Sequence, residues 1–195
     1  MFVFIEFCKN IDVRLFLWIN GMHNAFLDHI MIWVSEPLYW LPLYLIITYI
    51  LIKKYRLQSI GIFVAVALCV LISDQTASHL LKPLVHRLRP SHCLTLAHII
   101  HLPNGCGGTY GFVSSHAANC FSLTTLFYLI FNKSLNWLKY TLVCVSVIVS
   151  YSRVYLGVHY PADVIAAALL GIIVGYIVSI LYKLVENRIV WVTDR

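Results

Sequence analysis

The chain has 195 residues, of which 61% are hydrophobic and 11% are charged, and its mean hydropathy is +0.83. Because soluble domains average about 25% charged residues, this composition excludes an ordinary soluble protein and predicts one integral membrane domain over residues 1–195. The formal net charge of +6 does not indicate nucleic-acid binding, since the basic residues are not gathered into one patch.

The first predicted element, within residues 1–25, is an amphipathic helix. Charged side chains, among them Glu6, Lys9 and Arg14, occupy some of its faces. Apolar side chains recur at three- and four-residue spacing on another face, namely Phe4, Phe7, Cys8, Ile11, Leu15 and Trp18. The pattern favours a helix lying in the membrane interface, with a short buried sixth helix as the alternative. We expect no cleavable signal peptide, because no basic region leads into an apolar core and a small-residue cleavage site.

Five later stretches are apolar and long enough to span a bilayer, which takes about 20 residues of helix. They cover residues 30–52, 59–81, 112–131, 137–155 and 164–182. The first is interrupted at Ser35-Glu36-Pro37 and at Pro42. The last carries Ala167, Gly171 and Gly175 on a small-residue face that another helix can approach closely. The expected fold is all-α: an integral membrane bundle of about five transmembrane helices plus the N-terminal interfacial helix.

Basic residues between the spans predict the orientation. One face receives Lys53, Lys54, Arg56, Lys133, Lys139, Lys183, Arg188 and Arg195, and the positive-inside rule makes it cytoplasmic. The opposite face receives Lys82, Arg87, Arg89 and Arg153, whose charges a ligand explains better than topology does. We therefore expect a multi-pass protein of the cytoplasmic (inner) membrane whose polar clusters face the periplasm or exterior.

The first polar cluster is Lys82-x6-Arg89-Pro90. Together with Arg153 it supplies three cations, which suit the equatorial oxygens of a phosphoryl group. Arginine favours bidentate contact with phosphate, and lysine acts as a point charge. The alternative is that these side chains snorkel at the interface, and Arg87, outside the pattern, is assigned to that role.

Two acidic residues lie within predicted membrane helices and are functional candidates for that reason. Asp74, Ser78 and Lys82 are spaced four residues apart, so Asp74 can orient Lys82 through Ser78 or through water. Glu36 lies in the first span. Neither carboxylate is predicted to be catalytic.

The second polar cluster, Ser114-Ser115-His116, opens the third span. Ser114 can cap the helix, and the outward-pointing N–H groups of the first turn favour a bound anion. His116 is suited to protonate a leaving oxygen and later to activate water. The alternative is a plain serine cap beside a histidine with ordinary hydrogen-bond partners, although polar groups at such depth are usually functional.

The third polar cluster is Ser152-Arg153-x5-His159-x3-Asp163. Four-residue spacing lets the Asp163 carboxylate reach the His159 ring across one turn. A carboxylate that accepts a hydrogen bond from one ring nitrogen makes the other more nucleophilic. A neutral imidazole at about pH 7 is then a nucleophile. The alternative is a histidine–aspartate pair that only caps the last helix.

These clusters, in this order, resemble the type 2 phosphatidic acid phosphatase superfamily, which has Lys-x6-Arg-Pro, Pro-Ser-Gly-His and Ser-Arg-x5-His-x3-Asp. The match runs from Lys82 to Asp163, so residues 82–163 hold the predicted catalytic motifs. The second motif departs from the pattern, with Val113 in place of proline and Ser115 in place of glycine. Ser114 and His116 are kept.

The resemblance implies metal-independent, two-step hydrolysis of a lipid phosphate, with no cofactor. His159 would form a phosphohistidine, Asp163 would support it, and His116 would protonate the leaving group. The phosphate would be held by Lys82, Arg89, Ser114, Arg153 and backbone amides near Ser115 and His116. A chain this short is similar to the small bacterial undecaprenyl diphosphate phosphatases of the superfamily. Other members act on phosphatidylglycerol phosphate, phosphatidate or the 1-phosphate of lipid A.

The loop between Pro90 and Gly111, which is called the outer loop below, offers two further hypotheses. Cys93 and Cys106 are expected to form a disulfide in an oxidising periplasm. No metal site is expected, because the histidines around this loop lack the spacing typical of zinc ligands: His79, His86, His92, His98 and His101.

Two other classes of function fit parts of the pattern. A non-enzymatic lipid-phosphate binder or flippase would use the same cations without needing a nucleophile at His159. A vanadium haloperoxidase would hold vanadate on His159, but the membrane spans argue against it. The expected partners are a membrane lipid phosphate and the bilayer, with no obligate protein partner.

Overall fold

The computed structural model describes residues 2–193, and their side chains from residue 6 to residue 187. Phe4, Arg188 and Arg195, which the sequence patterns included, therefore lie outside the side chains described. Eight α-helices make up the fold: α1 (Phe2–Asn20), α2 (Ala25–Ser35), α3 (Leu41–Tyr55), α4 (Gln58–Gln75), α5 (Lys82–Val85), α6 (Ser115–Ile130), α7 (Asn136–Tyr155) and α8 (Pro161–Thr193). Over residues 2–193 the only β pairing is an isolated bridge between Leu88 and Tyr110, so the all-α class is confirmed.

Two helical stretches are long and apolar enough to cross a membrane. One is Gln58–Val85, in which α4 continues through a π-helical turn at Thr76–Leu81 into α5, and the other is Pro161–Asn187 in α8. A third candidate is the pair Ala25–Ser35 and Pro37–Tyr55, which meet at a bend of 72°. The bend follows from Pro37, which lacks an N–H and disfavours helical geometry at Glu36. The count of five spans stays a prediction.

Helices α6 and α8 are in close contact along the predicted small-residue face. A Cβ atom added at Gly171 would lie 2.5 Å from the Ala118 carbonyl oxygen, and one at Gly175 would meet the Ser122 carbonyl oxygen. Only glycine lets the two backbones approach this closely, as in small-residue contacts between membrane helices. Because α6 begins at Ser115 and α8 begins two residues after His159, the contact fixes where the second and third polar clusters lie.

The N-terminal helix α1 has one apolar edge that is exposed and another edge that is buried. The exposed side chains are those of the predicted interfacial face: Phe7, Ile11, Leu15 and Trp18. On the other side Asp12, Phe16 and Asn20, four residues apart, are buried against the loop before α8 and the end of α7. The predicted N-terminal helix is present and packs against the body of the protein, while its position in the membrane interface stays a prediction.

A cluster of buried apolar side chains joins α1, α6, α7 and α8 around the catalytic motifs. Its members include Phe16, Val113, Ala117, Val154, Tyr160, Val164 and Ala167. A second cluster, which contains Leu51, Phe127 and Leu138, joins α3, α4, α6 and α7 at the opposite ends of α6 and α7. The polar clusters are thus set against a packed apolar scaffold.

Candidate active site

His159 and Asp163 are both buried, at 1% and 0% exposure. His159 Nδ1 lies 3.7 Å from Asp163 Oδ2, across the first turn of α8. This distance is longer than a hydrogen bond, and catalytic contacts of this kind commonly tighten when substrate binds. Asp163 Oδ2 accepts the Tyr160 N–H at 3.0 Å. Because Nδ1 faces the carboxylate, Nε2 is the ring nitrogen left for a substrate.

A tight reversal of the chain lies between the end of α7 at Tyr155 and His159. Its key residue is Gly157, which has φ of +78° and no room for a side chain, since a Cβ atom would lie 2.5 Å from Leu102 Cδ2. The Arg153 carbonyl oxygen accepts the N–H groups of Val158 and His159, each at 3.3 Å. The reversal therefore fixes the backbone of His159 next to that of Arg153.

Burial sets the protonation of the proposed nucleophile. Removal from water lowers the pKa of His159 to about 4, while the Asp163 carboxylate acts in the opposite direction. The imidazole is therefore neutral at pH 7. Its lone pair is then available for attack on phosphorus.

The second polar cluster forms the start of α6. Ser114 is the N-cap residue, but its hydroxyl makes no capping hydrogen bond, so that part of the sequence interpretation was wrong. The Ser114 Oγ is buried and without a hydrogen-bond partner among the described residues. The free N–H groups of the first turn and this hydroxyl together suit an anion.

Ser115 contacts the first polar cluster. Its Oγ lies 2.8 Å from Lys82 Nζ and 2.9 Å from Ser78 Oγ. Lys82 also contacts Ser78 Oγ at 3.4 Å, and Ser78 is 3.5 Å from Asp74 Oδ1. The predicted chain from Asp74 through Ser78 to Lys82 is present, with Ser115 as its additional member.

Arg153 lies near the end of α7, and Ser35, at the bend after α2, contacts its Nη1. Its Nε is buried without a hydrogen-bond partner among the described side chains. Glu36, which is exposed at the same bend, lies within electrostatic range of Arg153. The sequence made Glu36 a functional candidate without a defined role, and this bend brings it into the range of a predicted phosphate-binding cation.

Arg89 is held by the returning outer loop. Its Nε donates to the Tyr110 carbonyl oxygen at 3.2 Å, and its backbone N–H donates to Thr109 at 3.0 Å. The guanidinium lies against Gly107, in the space that a Cβ atom would fill. The loop therefore places Arg89 over the site rather than in solvent.

Four predicted site residues exert an electrostatic influence on the His116 ring. Arg153, His159, Lys82 and Arg89 all lie within electrostatic range of it. Two buried donors, Ser114 Oγ–H and Arg153 Nε–H, have no acceptor among the described residues. Buried polar groups are nearly always hydrogen-bonded, so three cations and two unpartnered donors fit the oxygens of a phosphoryl group.

Arg87, predicted to snorkel, does not do so. Its Nη1 donates to Asp163 Oδ1 at 2.7 Å, and its Nη2 donates to Asp12 Oδ2 at 2.5 Å. Its Cζ lies 4.1 Å from the centre of the Tyr160 ring. Asp12 was not singled out by the sequence either, although its four-residue spacing with the buried Phe16 and Asn20 was a usable signal.

The outer-loop cysteines are both free thiols, so the disulfide expected between Cys93 and Cys106 is absent from the structure. Cys93 Sγ lies 3.2 Å from Thr95 Oγ1, and Cys106 is exposed beside the glycine turn. Among the described residues, no three His, Cys, Asp or Glu side chains are grouped to hold a metal ion. His101, one of the loop histidines, instead contacts Asp28 at 2.9 Å.

Comparison with known proteins identifies the family. Residues 59–187 match the PAP2 superfamily. The chain belongs to that superfamily. A lipid A 4′-phosphatase of Bacteroides thetaiotaomicron is 40% identical over 170 residues, which cover 86% of this chain and 75% of that protein. A lipid A 4′-phosphatase of Porphyromonas gingivalis is 35% identical over 187 residues, 94% of this chain and 78% of that one.

More distant PAP2 proteins agree with this assignment. An undecaprenyl-diphosphatase of Sulfolobus acidocaldarius is 31% identical over 165 residues, 82% of this chain and 73% of that protein. The crystal structure of the first transmembrane PAP2 type phosphatidylglycerolphosphate phosphatase from Bacillus subtilis shares the fold, with a TM-score of 0.64 at 20% identity. That likeness covers 93% of this chain and 87% of the other. The protein is thus a helical membrane-type PAP2 lipid phosphatase, as its polar clusters predicted.

Proposed function

We propose that this protein removes a phosphate group from lipid A at the outer face of the cytoplasmic membrane, through a phosphohistidine on His159 and without a metal ion. The observation that carries the chemistry is the grouping of Lys82, Arg89 and Arg153 with His116 and His159. Those cations supply the charge stabilisation that phosphoryl transfer requires.

In the first step the neutral His159 Nε2 attacks phosphorus. The bond between phosphorus and the lipid oxygen breaks, and His116, which takes up a proton from water when the anionic phosphate is bound beside it, gives that oxygen the proton. Asp163 stabilises the positive charge that develops on the His159 ring. In the second step His116, now a base, takes a proton from water, whose oxygen attacks phosphorus and releases inorganic phosphate and a neutral His159.

The choice of lipid A is supported by the relatives. Two lipid A 4′-phosphatases match 86% and 94% of the chain at 40% and 35% identity. Undecaprenyl diphosphate, the substrate suggested first by sequence motifs, is the second candidate, since an undecaprenyl-diphosphatase is 31% identical. Between the two, the higher identities favour a phosphate monoester on the lipid A sugar.

The test is a substrate panel with purified protein in detergent. The panel contains lipid A 1,4′-bisphosphate, undecaprenyl diphosphate, phosphatidate and phosphatidylglycerol phosphate. We expect the fastest phosphate release from lipid A, loss of the 4′-phosphate in the mass spectrum of the product, and full activity in EDTA. Fastest release from undecaprenyl diphosphate would reverse the order of the two candidates, and a strict Mg²⁺ requirement would contradict the mechanism.

The variant His159→Ala serves as the test of the nucleophile. We expect its kcat to fall by at least about 10³-fold, since a covalent step has no substitute. Acid-labile ³²P should be trapped on wild-type protein but not on this variant. The matched control is His29→Ala, which changes an exposed histidine of α2 and should leave kcat unchanged.

A further inference from the structure

The Arg87 guanidinium joins two carboxylates that come from distant parts of the chain. Its contacts with Asp163 Oδ1 and Asp12 Oδ2 measure 2.7 Å and 2.5 Å. Asp12 lies on α1, whereas the residues that match the PAP2 superfamily begin at 59. Through Arg87, a helix outside the matched region is therefore connected to Asp163, the carboxylate beside His159.

The contacts leave the Asp163 carboxylate little freedom. Arg87 holds Oδ1, and the Tyr160 N–H holds Oδ2 at 3.0 Å on the side that faces His159. Arg87 is itself fixed from three sides, by Asp163, by Asp12 and by the Tyr160 ring beneath it. Asp12 is 8% exposed, so both carboxylates that hold the guanidinium are shielded from water.

We propose that Asp12 and Arg87 are positioning residues for the nucleophile. Asp12 fixes the Arg87 guanidinium, Arg87 fixes the Asp163 carboxylate, and Asp163 holds the His159 ring in line with phosphorus. This inference rests on the proposed function, because it needs His159 to attack phosphorus. A lysine cannot replace Arg87, since a single ammonium group lacks the planar fork that reaches both carboxylates.

Asp12 makes one further contact that points to a purely structural role. Its Oδ1 accepts the N–H of Ala162, in the first turn of α8, at 2.8 Å. By that contact alone, Asp12 would only fasten α1 to the start of α8. The variant Asp12→Asn keeps a carbonyl oxygen for Ala162 and removes the charge facing Arg87, whereas Asp12→Ala removes both. Comparison of the two variants separates the structural contact of Asp12 with Ala162 from its effect on Arg87.

The kinetic test uses the full-length protein in detergent. Phosphate release is measured from lipid A 1,4′-bisphosphate and from undecaprenyl diphosphate, the two candidate substrates, so that the result does not depend on which of them is preferred. For Asp12→Asn, Arg87→Gln and Arg87→Lys we expect kcat to fall by about 10- to 100-fold, the effect of a small displacement of a reacting group. KM and the inhibition constant of inorganic phosphate should change by less than about twofold, because the phosphate-binding cations are untouched.

Two further measurements distinguish an effect of Asp12 that acts through Arg87 from separate effects of the two substitutions. If Asp12 acts through Arg87, then Asp12→Asn adds almost nothing in an Arg87→Gln background, so the double variant should match the single one. The control Arg14→Gln, an exposed residue of the same helix, should behave as wild type. Additive losses in the double variant would overturn the proposal.

The pH profile gives the second readout. The charged or titratable groups that face His159 are Asp163 of α8, Arg89 of the outer loop, Arg153 of α7 and His116 of α6. Arg87 offsets the negative charge of Asp163, so its loss should strengthen the attraction between Asp163 and a protonated His159. We expect Arg87→Gln to move the acidic limb of kcat/KM to higher pH and Arg87→Lys, which keeps the positive charge, to leave it in place, whereas water admitted by lost packing would shift the limb in both variants.

The results distinguish failure of the positioning role of Asp12 and Arg87 from failure of the proposed function. Wild-type protein that releases no phosphate from any lipid contradicts the proposed function. Active wild type together with Asp12→Asn and Arg87→Gln at wild-type kcat contradicts only the positioning role. Loss of phosphate binding in parallel with kcat would also overturn it, because the site as a whole would then have been disturbed.

Discussion

Ser115 occupies the position at which the PAP2 pattern has glycine, and it gives this protein a contact that glycine cannot supply. Its hydroxyl lies 2.8 Å from Lys82 Nζ and 2.9 Å from Ser78 Oγ. The Ser115 side chain therefore helps to hold Lys82, a predicted phosphate-binding cation, and the π-helical turn at Thr76–Leu81 brings Ser78 to the same place.

The variant Ser115→Ala tests this contact. A hydrogen bond to a charged group contributes about 1.5–3 kcal/mol, so we expect KM for the lipid phosphate to rise by about tenfold or more. Ser115→Gly, which restores the family residue, should give the same increase because it also lacks the hydroxyl. The control is Ser134→Ala, whose hydroxyl contacts Lys54 outside the site and should not affect KM. Wild-type KM in Ser115→Ala would show that Lys82 needs no such support.

At this scale the types and spacing of residues, together with the family resemblance, predicted a site of eight members. The structure places four of them within electrostatic range of His116, and their roles in binding and catalysis stay predictions. Arg87 and Asp12 were not predicted because their roles depend on a contact between positions 75 residues apart. Local spacing contains no information on such a contact, and Arg87 on its own is indistinguishable from an interfacial arginine.

At the scale of elements, the contact between α6 and α8 positions the two histidines that are predicted to be catalytic. The helices begin at Ser115 and Pro161, next to those histidines, and Gly171 and Gly175 face α6 at close range. The sequence predicted this small-residue face but not its partner, because many helices can fill such a groove. The 72° bend between α2 and α3 was not predicted either, although Pro37 marked its position.

Adding a methyl group at this contact should separate the helices. In Gly171→Ala the new Cβ would lie 2.5 Å from the Ala118 carbonyl oxygen and 2.8 Å from Phe121 Cβ. We expect a loss of about 1–3 kcal/mol in stability, as in other overpacked cores, measured by denaturation in detergent. The control is Gly108→Ala, where no atom lies within 4 Å of the new Cβ. Equal stability of the two variants would show that α6 and α8 can move apart without cost.

The whole molecule has its basic loops at one end and its predicted catalytic residues at the other. Lys54 contacts Asn132 and Ser134 at the first end, while Arg89, Arg153 and the outer loop lie at the second. Composition and the positive-inside rule predicted the separation, because charges are costly within the bilayer and collect at its faces. The number of spans could not be predicted as well, since α6 has only 16 residues and apolar length alone does not define its depth.

Labelling of a single exposed thiol tests which end faces outward. The chain has six cysteines, and Cys106 is exposed on the loop beside Arg89. In a variant that retains only Cys106, a membrane-impermeant maleimide should label intact spheroplasts. A cysteine introduced at Lys133 in the cysteine-free background should be labelled only after lysis. The reverse pattern would place the site in the cytoplasm.

The unpartnered atoms of the site affect the enzyme even between turnovers. Among the described residues, Ser114 Oγ, Arg153 Nε and His159 Nδ1 have no hydrogen-bond partner and are withdrawn from water, and each such group costs about 1–3 kcal/mol. An oxyanion that satisfies the first two binds the native state alone, so it must raise the melting temperature. Inorganic phosphate, the product of the reaction, should therefore protect the resting enzyme from thermal unfolding, although it also inhibits turnover.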